Sequence, residues 1–215
     1  MAIDTLDTTH LLALAAALGW ASGLRLYAVV FLTGLAGTLG WVPLPVGLQL
    51  LQHPLVLAAA GFMLAVEFLA DKVPGLDSLW DGLHTLLRIP AGAALAAAVF
   101  GADQAVWATV AGLLGGTLAA TSHLAKATTR AAVNTSPEPF SNIALSLAGD
   151  ALVPAMLWLA LTHPLWFGLT LVPVVAASVV LTVLLFKFLK ALIGRLSGRL
   201  SGRLGGRSAG RRAAV

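Results

Sequence analysis

Residues Glu67–Arg88 read E-F-L-A-D-K-V-P-G-L-D-S-L-W-D-G-L-H-T-L-L-R, and they hold four of the nine acidic residues of the chain. Long apolar runs flank them on both sides. Charge in such a setting is costly and is usually retained for a purpose. The spacing is regular. Glu67 and Asp71 are four apart, on one face of a helix. Pro74-Gly75 breaks that helix, and Asp77, Asp81, His84 and Arg88 then follow at i, i+4, i+7 and i+11. The stretch reads as a helix end carrying Lys72, a turn, and a short amphipathic helix with one polar edge.

Working outward, the composition is that of a polytopic membrane protein. Of 215 residues, 59% are hydrophobic and 10% charged, and the mean hydropathy is +0.92. Soluble domains carry about 25% charged residues. The absence of cysteine excludes disulfides, thiolate metal sites and cysteine nucleophiles. Residues 1–10 carry acids and no Lys or Arg, so the first apolar run reads as a retained span and not a signal peptide. Residues 1–186 hold five bases and nine acids, whereas residues 187–215 hold eight bases and no acid. The basic balance therefore belongs to a tail, and nucleic acid is not an expected partner.

The apolar runs predict an all-α bundle of six spans: 11–35, 54–70, 89–100, 104–125, 142–161 and 165–186. A bilayer core of about 30 Å needs about 20 helical residues. The run 89–100 falls short of that, so it reads as tilted, buried or re-entrant. Six spans with the basic tail inside put Lys72, Arg88, Lys126, Arg130 and the tail on one face, as the positive-inside rule asks. Trp41, Trp107, Trp158 and Trp166 then gather at the other face. This gives a bacterial inner-membrane protein with both termini cytoplasmic. Residues 1–190 form the membrane domain. Residues 191–215, whose Gly-rich repeat disfavours helix, form a disordered tail drawn to anionic lipid. An echo between Leu18–Leu24 and Leu118–Leu124 suggests a 3+3 inverted repeat. A homo-oligomer stays open.

A second polar segment is also striped. His123, Lys126 and Arg130 fall at i, i+3 and i+7; Ser136-Pro137-Glu138-Pro139 ends that helix; Asn142, Ser146 and Asp150 then run at i, i+4 and i+8. Lipid cannot satisfy such edges, so they must face one another or water. Arg25 lies deep in the first run and calls for a buried acid, Glu67 or Asp150. Asp77, Asp81 and His84 offer oxygen and imidazole donors of the kind that hold a divalent cation. His123, Lys126 and Arg130 suit an anion. For any single charge, an ordinary salt bridge or a lipid anchor serves as well.

The pattern E-x-x-x-D-K-x-P-x-x-D-x-x-x-D-x-x-H-x-x-x-R, with S-H-x-x-K-A-x-x-R at Ser122–Arg130 and S-N-x-x-x-S-x-x-x-D at Ser141–Asp150, resembles the bacterial membrane family catalogued as domain of unknown function 4126. The resemblance covers about residues 10–190 and implies an integral membrane protein without implying an activity. Three functions stay open. The first is a transporter or channel for an ion or small polar solute, lined by the three stripes and Arg25. The second is a membrane enzyme using Mg²⁺ on a lipid-linked phosphate. The third is a non-catalytic assembly protein in which the charges are structural pairs.

Overall fold

The computed structural model describes residues 6–73, 75–135 and 140–212, with side chains described as far as Arg195. Six α-helices follow one another: α1 Thr8–Thr38, α2 Pro54–Ala70, α3 Leu76–Ala98, α4 Ala105–Val133, α5 Phe140–Thr162 and α6 Pro164–Arg212. Short 3₁₀ turns occupy Val46–Gln52 and Ala102–Gln104, and no strand occurs among the described residues. The expected breakers Pro74 and Ser136–Pro139 lie outside the described residues. α6 continues to Arg212, into the stretch expected as a disordered tail.

Local chemistry explains most helix ends. Asp7 caps α1 by accepting the His10 backbone N–H at 2.9 Å, and that bond holds its carboxyl below the usual range. α2 opens with Pro54 at its first position, and the His53 ring accepts the Leu55 N–H at 3.2 Å. His53 is therefore the cap of α2. Gly75 sits at φ +88°, a conformation that side chains disfavour, and turns the chain from α2 into α3.

α3 differs from expectation. The amphipathic helix and the short span beginning near Ile89 form one continuous helix of 23 residues that runs through Pro90. Its length of about 35 Å is enough to cross a bilayer core. The faces of α3 are inverted relative to a soluble helix. Asp77, Asp81, His84 and Arg88 are at most 7% exposed, while Leu79, Leu83 and Leu86 are 60–81% exposed. Buried charge with exposed leucine is stable when the surroundings are lipid. Four helices, α1, α4, α5 and α6, are long and apolar enough to cross a membrane, or five when Val46–Gln52 and Pro54–Ala70, bent by 69°, count as one broken span; the more polar α3 is not among them.

α1 departs furthest. Its backbone leaves helical geometry at Arg25, at φ −148° and ψ 83°. In a straight helix Leu14 and Ala36 would stand about 33 Å apart. Instead Leu14, Leu32, Thr33 and Ala36 line one cavity of about 150 Å³. Leu6 and Leu11 meet Pro43–Gly47 and the Val99–Gln104 turn around another. α1 is therefore a helical hairpin folded at Arg25, and it returns to the end of the bundle from which it started. The apolar run that turns back on itself is the first, and the third is part of one continuous helix. Leu6 and the start of α1 consequently lie at the end that carries the α1–α2 and α3–α4 connections, opposite Lys72 and Arg130. This corrects the expectation that they share a face with those bases.

The descending arm of α1 packs along α4 through small residues. Gly19 lies against Gly115, and Gly23 against Ala119 and Ser122. A Cβ at Gly23 would overlap the Ala119 carbonyl oxygen, so only glycine permits this approach. The Ser122 hydroxyl donates to the Trp20 carbonyl at 2.6 Å and ties this arm to α4. The echoing segments 18–24 and 118–124 thus run side by side in the same direction, whereas halves of opposite orientation would oppose them. The outward arm meets α2 instead, with the Phe31 ring beside Gly61 and Gly34 against Leu51.

The hairpin has a direct consequence for labelling. Thr9 and Gln104 are exposed at one end of the bundle and Ser78 at the other. In this cysteine-free chain, Thr9→Cys and Gln104→Cys should react with an impermeant maleimide from the same side of a sealed vesicle, and Ser78→Cys from the opposite side. Thr9→Cys reacting together with Ser78→Cys would restore a single-crossing α1.

Candidate functional site

Each stripe read in the sequence is one wall of a single charged layer toward the Lys72 end of the bundle. α2 contributes Glu67 and, at its C-terminal cap, Asp71. α3 contributes Asp77, Asp81, His84 and Arg88, α4 contributes His123, Lys126 and Arg130, and α5 contributes Asn142, Ser146 and Asp150. Arg25 enters from the fold of α1, where the interrupted backbone carries the side chain into the layer.

Asp71 and Asp81 each meet three bases, and Asp71 does so through one oxygen. Its Oδ2 lies 2.9 Å from Arg25 Nη1, 3.0 Å from Arg130 Nη2 and 3.2 Å from Lys126 Nζ. Arg25 Nη2 reaches Asp150 at 2.8 Å, and Lys72 Nζ reaches the other Asp150 oxygen at 3.3 Å. Arg25 thus pairs with Asp150, one of the two acids expected, and with Asp71 in place of Glu67. Glu67 instead meets Arg88 Nη2 at 2.5 Å, and Arg88 Nη1 meets Asp81 at 2.7 Å. Lys126 also reaches Asp81 at 3.0 Å. Arg130 lies between two acids, with Nη1 3.3 Å from Asp77 and Nε 3.5 Å from Asp81.

The acids Glu67, Asp71, Asp77, Asp81 and Asp150 therefore face the bases Arg25, Lys72, Arg88, Lys126 and Arg130, and the layer is formally neutral. Like charges brought this close repel unless a cation, a proton or a base separates them. Here guanidinium and ammonium groups do so. Arg130 holds the position between Asp77 and Asp81 that a divalent cation would take. No group of three or more metal-type side chains comes together among the described residues. His84 turns elsewhere: its Nδ1–H donates to the Trp80 carbonyl at 2.9 Å, leaving Nε2 to accept the Tyr27 hydroxyl at 3.1 Å. Its ring stacks on Trp80 with centroids 4.2 Å apart.

Neutral side chains complete the layer. The Arg25 Nη2 donates to the Ser146 hydroxyl at 3.0 Å and to the Ser146 carbonyl at 3.2 Å. Lys126 donates to the Leu24 carbonyl at 3.0 Å, which satisfies a C-terminal carbonyl of the first arm of α1. His123 Nε2 lies 2.7 Å from the Thr85 hydroxyl, which itself donates to the Asp81 carbonyl at 2.9 Å. Asp77 accepts the backbone N–H groups of Gly75 and Ser78 at 2.8 and 2.6 Å, so it also shapes the entry to α3. Tyr27, Thr85 and Asn134 were not singled out as site residues by sequence. Asn134, which donates to Asp77 at 3.1 Å, falls on the Arg130 stripe at i+4 and was readable there.

Several buried atoms have no protein partner: Glu67 Oε2, Asp71 Oδ1, Arg25 Nε and both polar atoms of the Asn142 amide. Asn142 is fully buried. A cavity of about 240 Å³ opens beside the layer, reached by Arg25, Lys126, Arg130 and Ser146.

An inverted α3, a folded-back α1 and a buried neutral charge layer define a helical integral membrane protein with a polar centre. The chain belongs to the family described as Domain of unknown function (DUF4126), whose model matches residues 12–185. No curated protein and no solved structure matches the chain.

Removing one partner of a buried pair costs about 3–5 kcal/mol, because the other charge is left uncompensated. Arg88→Met strands Glu67, whose one ion pair is with Arg88, whereas Asp81 keeps Lys126 and Arg130, so it should lower the melting temperature in detergent sharply. Adding Glu67→Gln to Arg88→Met restores the charge balance and should recover most of that loss. A single variant as stable as the parent would mean that the pairs carry no weight.

Proposed function

We propose that the protein is a small transporter or channel for an ion or small polar solute, resident in a bacterial inner membrane with the Lys72 end in the cytoplasm. α2 to α6 cross five times, and the α1 hairpin dips in from the outer side. This arrangement keeps Lys72, Arg88, Lys126, Arg130 and the basic tail inside, in accord with the positive-inside rule. The exposed Trp41, Trp107, Trp158 and Trp166 then belong to the outer boundary.

The observation that carries the reading is the interruption of α1 at Arg25. Transporters commonly place their sites where a broken helix brings backbone ends and charge together inside the bundle. Here the broken ends lie against Asp71, Asp150 and Lys126. Asp150 is the yielding partner. Its side chain is 20% exposed, whereas Asp71 is fully enclosed. Drawing Asp150 away frees one side of Arg25, while Asp71 keeps the hairpin anchored. The enzymatic alternative has less support, since Asp77 and Asp81 are already bridged by Arg130.

Reconstituted in liposomes, the protein should move ions faster than protein-free vesicles do. The readouts are an internal pH dye under an imposed proton gradient, and charge movement on a supported membrane with Na⁺, K⁺, phosphate and acetate in turn. Asp150→Asn should change that flux severalfold while the melting temperature moves little, because the residue sits at the open edge of the layer. Folded protein that gives no flux above control for any of these ions would retire the transport reading.

A further inference from the structure

The cavity beside the charge layer differs in kind from the layer itself. α4 and α5 barely touch, and α6 spans the gap between them. The floor of the gap is Arg25, Lys126, Arg130 and Ser146, and its lining contains no acid among the described residues. The acids that pair with these bases stand on α2 and α3, apart from Asp150 of α5, which follows the cavity-lining Gly149 and pairs with Arg25. The walls include Leu152 and Leu181, which are 40% and 42% exposed on the outer face of the bundle. The cavity therefore opens sideways, toward lipid, and ends on positive charge.

One donor there is unspent. Arg25 is 1% exposed, and its Nη1 and Nη2 are taken by Asp71, Asp150 and Ser146. Its Nε has no protein partner. That Nε lies 3.7 Å from the point where a Cβ on Gly149 would stand, and Gly149 lines the cavity. A buried, desolvated N–H without an acceptor costs free energy, and an anion placed beside Gly149 would remove that cost. Guanidinium recognises phosphate oxygens with adjacent N–H donors, and Arg25 offers Nε and Nη2 together once Asp150 gives way.

We propose that this lateral cavity binds the phosphate head group of a membrane amphiphile, with Arg25 Nε as the first donor and Asp150 as the acid that the phosphate displaces. The apolar walls select a lipid over free phosphate, because a free ion would gain nothing from Leu152 and Leu181. At about 240 Å³ the cavity admits a head group and the start of a chain, with the remainder left in the bilayer. Binding then acts on the fold of α1, since the phosphate replaces the contact that Arg25 makes with α5. The proposal rests on the cavity and not on transport, so either reading can fail alone.

The test uses full-length protein in non-ionic detergent, with dihexanoyl phosphatidic acid, dihexanoylglycerol and inorganic phosphate titrated separately by calorimetry. Phosphatidic acid should bind saturably, and the other two at least about tenfold more weakly. Gly149→Leu fills the mouth of the site, and its Cβ would meet Arg25 only at ordinary contact distance. This variant should lose binding by at least about tenfold with an unchanged melting temperature. Asp150→Asn should bind more tightly than the parent. Equal binding of dihexanoylglycerol would mean adsorption by the chains alone, and equal binding of phosphate would mean a free-anion site. Either result, or full binding by Gly149→Leu, overturns the proposal.

Discussion

One oxygen holds the structure together. Asp71 Oδ2 receives Arg25 from α1, and Arg130 and Lys126 from α4, all within 3.2 Å. Asp71 sits where α2 ends, so the carboxylate joins the fold of the hairpin to the helix that packs beside it and to the turn leading into α3. A single negative charge cannot neutralise three positive ones. The requirement spreads outward: Arg25 takes Asp150, Lys126 takes Asp81, Arg130 takes Asp77 and Asp81, and Arg88 closes the set between Asp81 and Glu67. Charge balance in a medium without water thus specifies which faces of five helices meet. Apolar packing between membrane helices specifies this poorly, because lipid tails satisfy leucine as well as a neighbouring helix does.

The hairpin depends on the same constraint. A helix that reverses in a membrane strands the carbonyls of its first arm and the N–H groups of its second. Lys126 satisfies one of those carbonyls, and the Arg25 side chain is aimed into the layer by the same extended backbone that breaks the helix. Close approach through Gly19, Gly23 and Gly115 then allows the descending arm to lie in van der Waals contact with α4.

Much of this was legible in the sequence, and the illegible part has a physical explanation. Periodicity reports which residues share a helix face, so the stripes Asp77-Asp81-His84-Arg88, His123-Lys126-Arg130 and Asn142-Ser146-Asp150 could be read before any coordinates. Balance between the stripes was readable too, since polar edges in lipid must find one another. Periodicity does not report direction. The α1 reversal occurs at one residue, without proline, inside an unbroken apolar run, and only contacts with α4 and α2 reveal it. Nor could spacing choose between Glu67 and Asp71 for Arg25, because they are one turn apart on the same face. The continuity of α3 was hidden for a related reason: Pro90 looks like a boundary, yet the helix continues through it in a setting where lost backbone bonds can be met by neighbours.

A buried ion-pair layer is weak evidence for stability alone. Well-packed apolar residues of similar volume often serve as well or better, so a chain selected only for a firm fold has little reason to bury five acids and five bases. What such a layer supplies is specificity, together with alternatives of similar energy. Arg25 has both here. Its guanidinium is shared between the enclosed Asp71 and the accessible Asp150, and one of its N–H groups is unspent. Glu67 Oε2, Asp71 Oδ1 and the Asn142 amide are likewise buried without protein partners. Each such atom costs free energy that a purely structural network would have removed by one more hydrogen bond. Of these atoms Arg25 Nε stands at the fold of the broken helix and beside the cavity, where an acceptor from outside the protein would meet it.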